Sequence, residues 1–247
     1  MIPWIELHAI PIGPINIQVW GALVALGFLG AALVAAREFI KRGLDSKLLW
    51  DILFWIFISA FIMARLFHVV FYDLSWYVQN PWDIINPMLP GYSMMGGVLG
   101  GVMAGLIYVK RHSLGVWKVA DIVAYALPLG IGIGRIGCFL IHDHPGTLTD
   151  FILGVKYPDG VRHDHGLYLS LLGFGIFILF YFLNRKPRPA GFFVGWWLIL
   201  DGVSRFVLDF YRLYDARYAG LTPTQWLLIV TVSLGLGLLL KPKIARA

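Results

Sequence analysis

The chain has 247 residues, of which 59% are hydrophobic and only 14% are charged. Soluble domains carry roughly 25% charged residues, so this composition argues against a water-soluble enzyme. Lys and Arg number 20 against 14 Asp and Glu, and the net charge of +6 would suit either nucleic-acid binding or a membrane protein with basic loops. The positions of these basic residues along the chain decide between the two classes.

Seven stretches are long and apolar enough to span a membrane, since about 20 residues rising ~1.5 Å each cross a hydrocarbon core of ~30 Å. They are 17–36, 49–70, 92–109, 119–137, 166–184, 191–209 and 223–240. The first is not predicted to be a cleavable signal peptide, because residues 1–16 contain no Lys or Arg. We therefore predict an all-α, polytopic integral membrane protein with seven transmembrane helices, forming one domain over residues 1–247.

The basic residues are distributed unevenly between the two sides of the predicted bundle. Thirteen of the 20 fall in 37–48, 110–118, 185–190 and the tail after residue 240, whereas the loops of the other side hold four. Because positively charged loops stay in the cytoplasm, the C-terminus is predicted to be cytoplasmic and the N-terminus outside. The positive charge therefore reports membrane topology, and no nucleic-acid partner is predicted.

The outer loops are predicted to lie along the membrane surface, in the segments 1–16, 71–91 and 138–165. Tryptophans and tyrosines such as Trp4 and Trp82 are interleaved with prolines in and beside the first two segments. Amphipathic aromatic side chains prefer the headgroup level of a bilayer, so these segments are predicted to be interfacial.

Three arginines remain inside predicted helices: Arg65, Arg135 and Arg205. A guanidinium group buried in a membrane costs about 2.5 kcal/mol or more, so each needs a partner or a function. A lone arginine near a helix end could simply extend to the headgroups. Three near the outer ends, each preceded by a small residue, instead predict an outward-facing site for an oxyanion, which at a bilayer is a lipid phosphate.

Carboxylates and glycines accompany these arginines. Asp201 and Asp209 lie four residues either side of Arg205, as neutralising partners or as groups that hold its side chain for a ligand. Repeated glycines, among them Gly96 and Gly134, give small-xxx-small pairs that allow close helix packing.

The end of the fourth predicted span and the loop after it read GRIGCFLIHDHPGTLTD from Gly134. This stretch resembles the signature Gly-Arg-x-Gly-Asn-Phe-x-Asn-x-Glu-x-x-Gly of the bacterial prolipoprotein diacylglyceryl transferases. Five signature positions match, namely Gly134, Arg135, Gly137, Phe139 and Gly146. Cys138 and Ile141 stand in place of the two asparagines, and Asp143 in place of the glutamate.

The resemblance extends over nearly the whole chain. Further matching elements are Gly13-Pro14, Ala64-Arg65-Leu66, Phe71-Tyr72, Arg162-His163, Leu167-Tyr168, Arg205-Phe206, Asp209, Arg212, Leu221-Thr222 and Gln225-Trp226. Three positions depart from the family: Met95 replaces a histidine proposed as base, Trp20 a tyrosine and Leu169 a glutamate.

The resemblance implies transfer of the diacylglyceryl group of phosphatidylglycerol to the lipobox cysteine of a prolipoprotein, in the bacterial cytoplasmic (inner) membrane with the site toward the outer leaflet. A thioether forms and glycerol phosphate leaves, with no cofactor and no metal. The nucleophile is expected to come from the substrate, and Cys138 is interpreted as a packing residue. Because methionine cannot accept a proton, Met95 excludes the family's proposed base.

The predicted catalytic residues combine two demands, since the thiol must lose a proton and the leaving phosphate must be neutralised. We predict Arg135, Arg205, Asp143, His142 and His144 as catalytic. The predicted headgroup-binding residues are Arg65, Arg135, Gly134, Gly146, Arg205, Asp209, Arg212 and Gly96. His142 and His144 are candidate replacements for the missing histidine, although solvated loop histidines with no catalytic role fit equally well.

Two other functions stay open from the sequence. The triplets His142-Asp143-His144 and His163-Asp164-His165 could bind zinc in a metal-dependent membrane lipid hydrolase. Alternatively, the loss of the helix-three histidine at Met95 suits a non-catalytic phospholipid-binding paralogue.

Overall fold

A computed structural model of the chain describes residues 1–86, 89–213 and 217–240. The basic residues of the predicted cytoplasmic tail, after residue 240, lie outside these ranges. Within them the chain forms eight α-helices: α1 (Val19–Lys41), α2 (Ser46–Phe71), α3 (Leu74–Gln79), α4 (Met94–Arg111), α5 (Val116–Ile141), α6 (His165–Leu183), α7 (Phe192–Leu208) and α8 (Pro223–Leu240). Two short 3-10 helices, Pro81–Ile85 and Asp209–Tyr211, follow α3 and α7.

The helical part of the chain is that of a multi-pass membrane protein. Five helices, α1, α2, α5, α6 and α8, are long and apolar enough to cross a membrane. Large apolar side chains on their surfaces are exposed, including Phe54, Trp55 and Phe57 on α2. The helices α4 and α7 coincide with the other two predicted spans but are not among these five, so the count of seven stays a prediction.

Two small β-sheets occupy the predicted outer segments, and the all-α prediction missed them. β1 (Ala9–Ile12) and β2 (Ile15–Gln18) form an antiparallel hairpin. β3 (Pro145–Leu148), β4 (Val155–Tyr157) and β5 (Gly160–Asp164) form an antiparallel sheet in the order β3-β5-β4. Short strands between long apolar helices carry too weak a periodic signal to be recognised against them.

The chain divides into two compact units, residues 1–35 with 120–247 and residues 36–119. The core of the first unit joins α5, α6 and α7, where Phe180 and Phe193 are fully buried and their ring centroids lie 5.2 Å apart. The Asp121 carboxylate near the start of α5 accepts from the N–H groups of Gly191 and Val194 at 2.7 and 3.0 Å. It therefore caps the start of α7 and ties that helix to α5.

The second unit is built on the close packing of α2 against α4. A side chain at Gly100 would place its Cβ 2.6 Å from Cβ of Met63, so only glycine fits there. The Ser59 hydroxyl donates to the Gly100 carbonyl at 3.0 Å across the same contact. Gly96, predicted to bind the headgroup, is buried in this packing, where a Cβ would collide with the backbone of Met63. Small residues thus bring the two helices together, as expected for packing within a bilayer.

Candidate active site

A cavity of about 70 Å³ with several charged residues in its wall lies in the first unit, among α5, the start of α6 and the end of α7. Its charged and titratable wall residues are Arg135, His144, His165, Arg205, Asp209 and Arg212. Since one water needs roughly 10–15 Å³ by the same measure, the cavity has room for a small polyatomic anion. Three guanidinium groups and one carboxylate give it an excess of positive charge.

Arg205 is held in this wall by the carboxylate one turn before it. Its Nε donates to both carboxylate oxygens of Asp201, at 2.8 and 2.7 Å. In the ranges that the structure describes, the two Nη groups of Arg205 donate to no protein atom. Asp201 therefore fixes the side chain while leaving the outer N–H groups of the guanidinium available to a ligand.

Arg135 likewise keeps guanidinium N–H groups available to a ligand. Its Nη1 lies 3.6 Å from Sγ of Cys138, a weak acceptor, and its other N–H groups have no partner among the described residues. Arg135 stands six positions before the end of α5, and Arg205 stands three before the end of α7. Both predicted catalytic arginines therefore line one cavity, and each keeps N–H donors without a partner among the described residues.

Asp209 belongs to a buried network and does not hold Arg205. The hydroxyl of Thr222 donates to its Oδ2, and Nη1 of Arg212 lies 3.5 Å from its Oδ1. Thr222 and Gln225 form a reciprocal cap at the start of α8, with Thr222 N donating to Gln225 Oε1 at 2.9 Å and Gln225 N donating to Thr222 Oγ1 at 3.1 Å. The prediction that Asp209 binds the headgroup is not tested, but its geometry is that of a positioning group for Arg212.

His165 opens α6 and forms part of the cavity wall. The residue is 3% exposed, and its Nε2 lies 2.9 Å from the carbonyl oxygen of Leu208. Its Nδ1 is buried and has no hydrogen-bond partner in the described part of the chain. A carbonyl can only accept, so Nε2 carries the proton and Nδ1 keeps a lone pair in the neutral ring.

The chain matches the family described as prolipoprotein diacylglyceryl transferase over residues 8–241. It belongs to that family. Among curated relatives, the phosphatidylglycerol–prolipoprotein diacylglyceryl transferase of Pseudomonas paraeruginosa is 33% identical, covering 96% of this chain and 93% of the relative. The proteins of the same name from Pseudomonas putida and Pasteurella multocida are 32% and 36% identical, covering 96% and 83% of this chain and 94% and 78% of the relatives.

Among the loop histidines of this transferase, His142 is a structural anchor. Its Nδ1 lies 2.9 Å from Oδ2 of Asp164, its Nε2 lies 3.0 Å from the carbonyl oxygen of Ile5, and its ring stacks on Trp4 at 3.8 Å. Both ring nitrogens therefore contact oxygen atoms of the protein, one from a side chain and one from the backbone. The role of His142 as a catalytic residue stays untested, but its contacts fasten the N-terminal segment to the loop.

The second predicted loop histidine, His144, is partly exposed and carries its own carboxylate. Its Nδ1 lies 2.5 Å from Oδ1 of Asp143, and it lines the cavity. Among the described residues, one group of three potential metal ligands exists in the transferase, formed by Cys138, Asp143 and His144 within 4.8 Å of one another. The Arg135 guanidinium lies against the Cys138 sulfur, which opposes a cation there, so we assign no metal to this group.

Among the described residues, the histidines of the two His-Asp-His triplets do not come together in one group of potential metal ligands. His142 contacts Asp164 and Ile5, as above, and Nδ1 of His163 lies 2.9 Å from the Tyr168 hydroxyl. Burial, with a smaller contribution from neighbouring His165, lowers the pKa of His163. Membership of the transferase family also does not favour the hydrolase alternative.

The outer sheet of the transferase positions the loop through two buried groups. Asp164 accepts from the Tyr157 hydroxyl at 2.7 Å and caps α6 by accepting from Leu167 N at 2.8 Å. Burial, and next the bond to Asp164, raises the pKa of Tyr157. Gly146 packs where a Cβ would lie 2.8 Å from the Tyr211 carbonyl oxygen, so this predicted binding residue fits a need for close backbone approach.

Arg65 lies in the second unit and has a different environment from the other two arginines. It is 6% exposed, and its side chain donates to six backbone carbonyls. These belong to Asp83, Ile84, Asn86, Leu89, Pro90 and Gly91, at 2.6 to 3.3 Å. All the guanidinium nitrogens are therefore used, and Arg65 fastens the outer segment to α2. Its predicted role in headgroup binding is not tested, and this geometry does not support it.

Sequence reasoning missed two features of the cavity. His165 was noted only as part of a possible zinc triplet, although it lies beside Arg135 and Arg205 in the wall. Leu169, at the position where the family usually has glutamate, also lines the cavity and leaves Asp209 as its single carboxylate. The spacing of Asp164 and Leu167 as an N-cap was the available signal, because it places residue 165 at the first turn of a helix.

Proposed function

We propose that this chain transfers the diacylglyceryl group of phosphatidylglycerol to the lipobox cysteine thiol of a prolipoprotein. Family membership and relatives named for that reaction support the activity. The observation that carries the assignment to a site is the cavity in which Arg135 and Arg205 keep N–H donors unpaired within the described structure.

The cavity suits the phosphate of the lipid. Arg205 is braced by Asp201, and Arg212 contacts Asp209, so both guanidinium groups are positioned before a ligand arrives. Preorganised donors aimed at developing negative charge stabilise a transition state without reorganisation at the moment of reaction. Planar guanidinium groups also bind phosphate oxygens in pairs.

The chemistry balances without a cofactor. The cysteine sulfur, once deprotonated, attacks the glyceryl carbon bonded to the phosphate oxygen; the S–C bond forms as the C–O bond breaks. The electron pair leaves with the oxygen, giving glycerol phosphate, and the arginines neutralise the added charge. The thiol needs help to ionise, since its ordinary pKa is about 8.5.

We further propose that the whole chain, 1–247, works as one domain in the bacterial inner membrane, with seven spans, an outer N-terminus and a cytoplasmic C-terminus. The distribution of basic residues supports this orientation. The cavity would then open toward the outer leaflet, and the outer segments 1–16, 71–91 and 138–165 would lie along that surface. The substrates reach it there: phosphatidylglycerol from the bilayer and the prolipoprotein by its signal peptide.

The activity is tested with purified protein in vesicles containing phosphatidylglycerol and a lipobox peptide, alongside complementation of a bacterium depleted of the transferase. We expect a thioether-linked diacylglyceryl peptide and glycerol phosphate in equal amounts. Vesicles of phosphatidylcholine, and a peptide with serine for cysteine, are the matched controls. Saturable binding of phosphatidylglycerol without any product would instead identify a phospholipid-binding paralogue, consistent with Met95 in place of histidine.

A further inference from the structure

The transfer reaction needs a group that accepts the thiol proton, and several obvious candidates are absent or engaged. Met95 and Leu169 have no basic atom at positions where the family has histidine and glutamate. His142 presents both ring nitrogens to acceptors. The Asp209 carboxylate accepts a hydrogen bond from the Thr222 hydroxyl and contacts the Arg212 guanidinium.

His165 has the features that these residues lack. It lines the same cavity as Arg135 and Arg205, so the accepted proton and the neutralised phosphate would lie side by side. Its Nε2 is fixed by the Leu208 carbonyl, which sets the tautomer, and its Nδ1 is buried with no partner among the described residues. A buried polar atom without a partner destabilises the fold, so such an atom in a cavity wall points to a ligand or a proton that it accepts.

We propose that His165 is the general base of this enzyme and that its Nδ1 accepts the proton of the substrate thiol. The inference rests on the proposed transfer reaction. As Nδ1 takes the proton, directly or through one water, the sulfur attacks the glyceryl carbon and the phosphate oxygen leaves with the bonding electrons. The ring later passes its proton to solvent or to the departing phosphate, so the proton of the thiol leaves with the products.

Substitution by glutamine separates this role from a structural one. In His165→Gln, the amide nitrogen can still donate to the Leu208 carbonyl, whereas the amide oxygen is not a base at neutral pH. We expect kcat for the lipobox peptide at pH 7 to fall about 10²–10³-fold, with little change in KM for phosphatidylglycerol. His8→Gln is the matched control, because the His8 side chain is exposed and pairs with Glu6.

The pH dependence of the rate distinguishes a general base from a structural residue. Without a base, the reaction depends on thiolate already present, so the rate of His165→Gln should rise roughly tenfold per pH unit up to the thiol pKa near 8.5. The wild-type rate should rise much less over the same interval. The charged and titratable groups that share the cavity are Arg135, His144, Arg205, Asp209 and Arg212, with His163 and Asp164 preceding His165 in the chain. His144 is the other histidine in the wall, so His144→Gln is measured in parallel.

A second variant at the same position tests the proposal without relying on the properties of the glutamine side chain. His165→Ala leaves a hole, and imidazole added to the assay should restore activity at least tenfold, whereas it should not affect wild type. An identical pH profile in wild type and His165→Gln, a steep profile in His144→Gln instead, or no imidazole rescue of a folded His165→Ala would each overturn the proposal. Absence of thioether formation by the wild type would instead refute the transfer reaction itself.

Discussion

Arg65 and Arg205 both stand within the last two turns of an apolar helix, yet their surroundings are opposite. Arg65 gives its N–H groups to six backbone carbonyls of the outer segment that follows its helix. Arg205 gives only Nε to Asp201 and keeps both Nη groups without a partner in the described structure. A fully satisfied guanidinium stabilises its fold, whereas a braced guanidinium with free donors is prepared for a ligand.

The largest loss of activity is expected from substitution of Arg135 and Arg205, which keep N–H donors without a partner among the described residues. Arg205→Ala and Arg135→Ala should each reduce kcat/KM for phosphatidylglycerol by about 10³-fold or more, because a preorganised donor to the developing phosphate charge is lost. Melting temperature in detergent should change little, since few protein contacts are removed. Arg217→Ala is the control, because Arg217 is exposed and contacts Phe210 weakly, through a 3.4 Å hydrogen bond to its carbonyl and a cation–π contact at 5.9 Å. Full turnover by Arg135→Ala would refute the phosphate assignment.

Substitution of Arg65, whose guanidinium nitrogens all donate to backbone carbonyls, should lower stability more than turnover. Arg65→Met keeps an apolar side chain of similar length but leaves carbonyls of the outer segment without donors, at a cost of about 2–4 kcal/mol in unfolding free energy. We expect a lower melting temperature and faster proteolysis between residues 73 and 91. Turnover per folded molecule should fall far less than in Arg205→Ala. Lost turnover with unchanged stability would instead place Arg65 in the binding site.

A smaller effect is expected from the residue that braces Arg205. Asp201→Asn retains one acceptor oxygen but loses the charge and the two-oxygen contact with Nε. We expect a decrease of roughly tenfold in kcat/KM, the lower end of what loss of such support costs. Kinetics with vesicles of graded phosphatidylglycerol content would measure it. An Asp201→Asn variant as impaired as Arg205→Ala would indicate that the carboxylate itself contacts substrate.

The smallest effect is expected at the single cysteine. Cys138 lies 3.6 Å from Arg135 and is buried, but the nucleophile is expected to come from the peptide. Cys138→Ala should therefore retain most activity, within about threefold of wild type, as is typical of a small change in a packed position. Complete loss of turnover in a folded Cys138→Ala protein would show that this thiol takes part in the reaction.

Much of the architecture could be predicted from the sequence because membrane spans have a strong local signal. All seven predicted stretches coincide with helices, and the motif around Arg135 indicated the family that the comparisons show. The short strands beside the helices were missed, since their pairing joins residues such as Pro145 and Asp164 that only the folded loop brings together. The cap that Asp121 gives to the start of α7 was likewise not predicted, because its partners Gly191 and Val194 are distant in sequence.

From composition and local spacing it was possible to predict that the chain is a membrane protein and which arginines lie inside its helices. The motifs also indicated the family that the chain resembles. Those properties depend on composition and local spacing, which the chain displays directly. Tertiary contacts alone reveal that every guanidinium nitrogen of Arg65 donates to backbone carbonyls and that both ring nitrogens of His142 contact protein oxygens. They also place Nδ1 of His165, which has no hydrogen-bond partner among the described residues, in the cavity wall that holds Arg135 and Arg205. The physical reason is that hydrogen-bond satisfaction depends on partners remote in sequence, so the same residue type becomes structural or reactive according to what the fold places next to it.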